Sequence, residues 1–210
     1  MKIRMTQSSC TSLIVFALLG LAACSNPTTL ERTWKAPEVG SLKFSKVLVV
    51  ALVPDGDIRR AAEDAIKANI TSVPSVASYE MVMDKETLKD RTKMATIIHD
   101  SGADGIVVLR PIADLKEVPP IVSGTDIPPP YTGMWGYYTR PYGMSAMYWD
   151  SSTTMAEGIV GMETNIYDVK SENLVWSGFT KTKDPKNVTD LVNQVAAAVK
   201  AKMQQQQLIP

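Results

Sequence analysis

The chain is nearly without cysteine and histidine: Cys10 and Cys24 are its two thiols and His99 is its single imidazole. Beyond Cys24 no thiol remains, which excludes an internal disulfide, a thiolate nucleophile and a cysteine-based zinc site in the body of the protein. One histidine without cysteines makes no ordinary zinc site, and no Ser or Asp spacing marks His99 as the base of a triad. It reads as a helix-end residue, facing the negative end of a helix dipole. An excess of charge is missing too, since 22 Lys and Arg balance 22 Asp and Glu. With no basic stripe, nucleic acid is not an expected partner. Also lacking is an apolar run of the roughly 20 residues that would cross a bilayer. The leading run extends only from Leu13 to Ala23.

That short run has a positive start at Lys2 and Arg4 and ends in small residues, the three-part design of a secretory signal. At its end stands Leu21-Ala22-Ala23-Cys24, which resembles the lipobox of bacterial lipoproteins. The resemblance implies cleavage before Cys24, a diacylglyceryl group on its sulfur and a further acyl chain on its new amino terminus, palmitate being the type of chain expected. Several chains, at about 0.8 kcal/mol per buried methylene, anchor a protein far better than one. Ser25 stands where Asp would signal retention in the inner membrane, so the resemblance further implies the periplasmic face of the outer membrane. Losing Lys2 and Arg4 with the leader leaves a slightly acidic mature chain, long enough for one domain with a real core.

Residues 24–40 read as the lipidated cysteine and a polar tether broken by Pro27, Pro37 and Gly40, with room for one short strand and with Trp34 packing on the body. Residues 41–210 read as a single α/β domain. Its first strand, Lys46 to Val53, is a continuous Val-rich run of the kind covered on both faces. Pro54-Asp55-Gly56-Asp57 turns the chain, and Asp57 is expected to cap a helix from Ile58 to about Asn69. Ile58, Ala61, Ala62, Ala65 and Ile66 form its apolar face, with Arg59, Arg60, Glu63, Asp64 and Lys67 on the solvent side. One glycine between two aspartates is a poor phosphate cradle. A second strand is expected over Pro74–Met83, then a helix from Asp84 or Lys85 to about His99, stopped by Ser101-Gly102. Asp104 to Arg110 supplies a third strand. Strand and helix in alternation imply right-handed crossovers over one sheet.

At residues 118–152 the texture changes to Pro, Gly, Tyr, Trp and Met. Five of the seven tyrosines lie there, Tyr131, Tyr137, Tyr138, Tyr142 and Tyr148, with Trp135 and Trp149. Loops beyond about 12 to 15 residues are uncommon in compact domains unless functional or disordered. Tyr and Trp bring large contact area at modest entropy cost, so these seven aromatics are the candidate binding residues. The competing reading, in which they fold back to cover a sheet edge, carries equal weight. Met144, Met147 and Met134 offer thioethers to cuprous copper but have no His or Cys beside them, so neither metal nor cofactor is expected. The density of Pro and Gly also spoils the alternation that a membrane barrel strand needs.

A hairpin follows, Thr153–Val169 and Asn173–Thr182 around Lys170-Ser171-Glu172. Alternation sets Val160, Met162, Thr164 and Ile166 on its more apolar face, and on the return strand Leu174, Trp176 and Gly178 opposite Val175, Ser177 and Phe179. Trp176 is expected to anchor the last helix, capped by Asn187 or Thr189, which runs over Leu191–Met203. The whole is an α/β fold with an α+β tendency, a mixed sheet of about five strands with three helices in the order β-α-β-α-β-loop-β-β-α.

That order, with Ile166-Tyr167-Asp168-Val169 and Leu174-Val175-Trp176-Ser177-Gly178, resembles small bacterial envelope lipoproteins of uncharacterised families. Their domain is similar to the amino-terminal domain of the TolB translocation protein and the soluble domain of the curli secretion lipoprotein. The resemblance implies a non-enzymatic accessory module that binds an envelope protein or glycan, with no catalytic residue to carry over. A subunit of an oligomeric secretion or transport assembly is the alternative, which leaves a homo-oligomer open. A cell-wall hydrolase fits poorly, because Glu157 and Glu163 stand six residues apart on one strand, roughly 20 Å, beyond the about 5 to 9.5 Å of glycosidase carboxyl pairs.

Overall fold

The computed structural model describes residues 27–53, 55–82, 84, 87–112, 133–135 and 158–210. They form one mixed sheet of six strands with three helices, an α/β architecture. The strands are β1 (Thr28–Lys35), β2 (Val47–Ala51), β3 (Ser75–Ala77), β4 (Gly105–Ile112), β5 (Ile159–Asp168) and β6 (Leu174–Lys183), and the helices α1 (Gly56–Asn69), α2 (Arg91–Ser101) and α3 (Val188–Gln205). In space the order is β1-β6-β5-β4-β2-β3. β3, β2 and β4 are parallel, while β4, β5, β6 and β1 are antiparallel. The sixth strand is the one for which the amino-terminal segment left room. Thr28–Lys35 pairs with β6 along its length, and Trp34 is buried against the body as expected.

β2 explains the two-sided core. Its alternate residues Val47, Val49 and Ala51 face one cluster, with Ala62, Ala65 and Ile66 of α1 and Leu191, Val195 and Val199 of α3. Leu48 and Val50 face the other, with Leu88, with Met94 and Ile98 of α2, and with Ile106 and Val108 of β4. Each fully buried Val or Leu contributes about 1.5–3 kcal/mol of apolar transfer energy, so a strand buried on both faces is the natural centre. Among the described residues no helix is long and apolar enough to cross a membrane.

Several local expectations are corrected. Asp55, not Asp57, caps α1, its Oδ1 accepting from the amides of Asp57 and Ile58 at 2.9 Å each. β3 is only three residues long, because the chain tightens into a 3₁₀ turn at Ser78–Glu80, where α1 captures the Ser78 hydroxyl and the Tyr79 amide. The second helix does not start at Asp84. That carboxylate closes a separate turn by accepting from the amide and hydroxyl of Thr87, and α2 begins after a fresh cap at Asp90. Gly102 ends α2 at φ 63°, the left-handed stop expected of it. In the hairpin a bulge at Val175 alters the expected faces. Leu174 joins the α2 side, while Val175 and Trp176 both join the α1–α3 side. Trp176 nonetheless anchors α3 as expected: it is fully buried and donates from Nε1 to Gln206 Oε1 at 2.8 Å. Asn187 caps α3 through the Asp190 amide. The carboxy-terminal segment packs on the body, since Leu208 is buried in the first cluster and its carbonyl accepts from the Leu42 amide at 2.8 Å.

Candidate functional site

Cys24 and six of the seven aromatic candidates, Tyr131, Tyr137, Tyr138, Tyr142, Tyr148 and Trp149, lie outside the described residues, as does Glu157. Trp135 is described and packs. It is half-buried against the α2-side cluster, with the Arg91 guanidinium 5.2 Å from its ring centre. Its neighbour Met134 is buried to 2% exposure, and the Met134 amide donates to the Glu172 carbonyl at 2.9 Å. Gly133 forms a bridge with Asn173, so residues 133–135 are held at the β5–β6 turn.

Strand register fixes where this segment joins the body. Ile112 pairs with Gly161, Val160 with Thr182 and Thr182 with Thr28, so the exit at Ile112, the return at Gly158 and the start of β1 share one end of the sheet. The described middle of the segment, residues 133–135, instead lies at the β5–β6 turn, the opposite end of the sheet from Thr28.

The acids are structural. Glu163 is 3% exposed and its Oε2 accepts from Arg110 Nη2 at 2.9 Å. Asp168 closes the hairpin turn by accepting from the Ser171 amide and hydroxyl at 2.7 Å each. His99 sits exposed in the last turn of α2 beside Asp100, at 3.1 Å. Tyr79 donates to Asp64 at 2.6 Å, and that hydrogen bond pushes its pKa up to about 12.

What the sequence reading missed is on α1. Arg59 and Glu63, assigned to solvent, are 3% and 0% exposed. Glu63 Oε1 accepts from the Ala51 amide (2.9 Å), Arg59 Nε (3.0 Å) and Ser78 Oγ (2.7 Å), while Oε2 accepts from the Tyr79 amide (2.9 Å). The signal was present as spacing: 59, 62, 63 and 66 form one helical stripe, and only their polarity argued against burial. This network locks α1 onto the end of β2 and the turn after β3.

A cavity of about 350 Å³ opens between α1, α3 and the sheet. Val107, Leu109, Ile166, Val195 and Val199 are among its apolar walls, and Asn69, Ser72 and Lys200 are among its polar residues. Thr164 also lines it; the residue is 5% exposed and its hydroxyl makes no hydrogen bond. This size and mostly apolar lining match ordinary small-ligand sites.

No protein family matches the chain, and no curated protein does. Solved structures with a partly overlapping backbone include two forms of the PelC dodecamer from Paraburkholderia phytofirmans. The first is a PelC variant at 10% identity, covering 82% of this chain and 95% of that one with a TM-score of 0.43. For the second the values are 11%, 87%, 99% and 0.39. Lipoprotein GNA1162 from Neisseria meningitidis aligns at 12% identity over 76% of this chain and 96% of its own, with a TM-score of 0.35. Overlap this partial leaves the role of the chain to be argued from its own residues.

Proposed function

We propose that this protein is a lipid-anchored, non-catalytic binding module of the bacterial cell envelope, held at the periplasmic face of the outer membrane by acyl chains on Cys24. The observation that carries the reading is Leu21-Ala22-Ala23-Cys24 behind a short charged and apolar leader, only four residues ahead of the first strand of the body. So short a connection holds the Thr28 end of the body close to the anchoring surface, where an envelope protein or glycan is within reach. The acids support a binding role over hydrolysis, since Glu163 is committed to Arg110 and Asp168 to its turn.

Because Met134 and Trp135 pack into the body, they are kept in the test. Deleting residues 137–149 from the acylated protein is expected to abolish capture of its envelope partner with the melting temperature unchanged. Recovery of the same partner by the shortened chain refutes the binding role of that segment.

A further inference from the structure

We infer that the cavity between α1 and α3 is a binding site for one monomeric, anionic single-chain lipid, of which a long-chain fatty acid is the simplest case. The inference rests on the envelope address proposed above, but it assigns a different surface and a ligand of its own. Three features point to this chemistry. The walls are apolar and contributed by both helices and the sheet, and about 350 Å³ suits a flexible hydrocarbon tail better than a polar solute. Lys200 is the one charged side chain among the described residues that line the cavity; it is exposed and enters no ion pair. A carboxylate at the mouth meets that ammonium while its tail runs inward along Val195, Val199 and Ile166. Polar rim groups, the Ser72 hydroxyl among them, suit a headgroup and would be wasted on a purely apolar ligand.

The direction of entry follows from topology. Residues 71–73 line the cavity just before β3, whose Ser75 pairs with Val47; Val47 in turn pairs with Gly105 and Gly105 with Asp168. That is the end of the sheet opposite Thr28. The occupant assigned is a free lipid that reaches the body from that end.

The test uses the acylated full-length protein, transferred from mild detergent to amphipol and titrated with the fluorescent fatty acid cis-parinaric acid, followed by displacement with palmitate, laurate and hexadecanol. Saturable one-to-one uptake is expected. Ala196→Trp, which projects a large ring from a half-buried wall position, should abolish it. Lys200→Glu, on the exposed surface, should weaken palmitate about three- to tenfold and leave hexadecanol unchanged. Absence of saturable uptake by the wild type, or uptake that Ala196→Trp leaves intact, overturns the assignment. So does a cavity that proves to be covered by a second copy of the chain, seen as a dimer that Ala196→Trp dissociates and palmitate does not. Failure here leaves acylation of Cys24 untouched, so the two readings fail separately.

Discussion

Replacing Glu63 by Gln keeps the shape of a fully buried side chain and removes its charge, so the consequence can be worked from four hydrogen bonds. In the native protein the carboxylate accepts from two backbone amides, a hydroxyl and a guanidinium, all within 3.0 Å. An amide has one acceptor oxygen, and its NH₂ must point at donors wherever it is placed. With oxygen kept at the Oε1 position, nitrogen faces the Tyr79 amide; flipped, it faces three donors at once. Arg59 loses the carboxylate that balances it, although its Nη2 still donates to Ser78 at 2.6 Å. Breaking a buried pair by removing one partner costs about 3–5 kcal/mol, out of a total stability near 5–15 kcal/mol. For a chain of this size each kcal/mol corresponds to about 2–4 °C, so the melting temperature should fall by about 6–20 °C. Urea denaturation followed by circular dichroism measures the loss directly, and Arg59→Met in a double-mutant cycle apportions it. If Glu63→Gln costs less than about 1 kcal/mol, the network does not hold α1 to the sheet and the reasoning is wrong.

Other perturbations follow from the same structure. A Cβ on Gly178 would lie 2.3 Å from Cη2 of Trp176, whose ring covers that glycine, so Gly178→Ala should cost about 1–3 kcal/mol in urea denaturation; an unchanged midpoint would show that the ring moves freely. The buried carboxamide of Asn165 has no hydrogen-bond partner, and Asn165→Val should therefore raise stability by about 1–2 kcal/mol; a loss of that size would mean the amide is satisfied. Acid should weaken the fold through carboxylates whose pKa is lowered on folding. Partial burial works to raise Asp104, but amides of Lys46 and Ser45 and the Ser45 hydroxyl outweigh it and hold the group below its usual value. Asp190 is held low by the Lys186 amide and Gln194. Depressed values mean that the stabilisation is complete above the ordinary carboxylate pKa near 4 and fades as pH falls through the lower folded value. Melting curves of Asp104→Asn and Asp190→Asn should accordingly be less acid-sensitive than the parent, and identical acid slopes would contradict the assignment.

Much of the fold was legible because hydrophobic period and punctuation agreed. Val47–Ala51 was readable as a two-sided central strand from its unbroken Val-rich run, and Gly102, Asn187 and the Ser171 turn were readable from turn and cap chemistry. Where local rules misled, a tertiary partner had intervened. β3 ends early because Glu63 on a distant helix claims the Ser78 hydroxyl and the Tyr79 amide, which no local window contains. Arg59 and Glu63 sat on the apolar stripe by spacing and were assigned to solvent by charge, since burial of a pair becomes visible only when both partners and their acceptors are placed. The bulge at Val175 shifted Leu174 to the opposite face from Trp176, a one-residue change that alternation cannot signal. The cavity was invisible for a similar reason: its walls come from both ends of the chain, and Thr164 becomes conspicuous only when its surroundings are apolar. For the aromatic segment, composition identified a place and not a role, and the two described members of its centre, Met134 and Trp135, pack on the body.

The envelope role stands or falls with one covalent modification. Mass spectrometry of the amino-terminal peptide from protein extracted out of its native membranes reads it directly. The account predicts a mature chain beginning at Cys24, carrying a diacylglyceryl group on sulfur and an acyl chain on the amino nitrogen. An unmodified Cys24 thiol, or a chain cleaved at another residue and recovered without detergent, would contradict it.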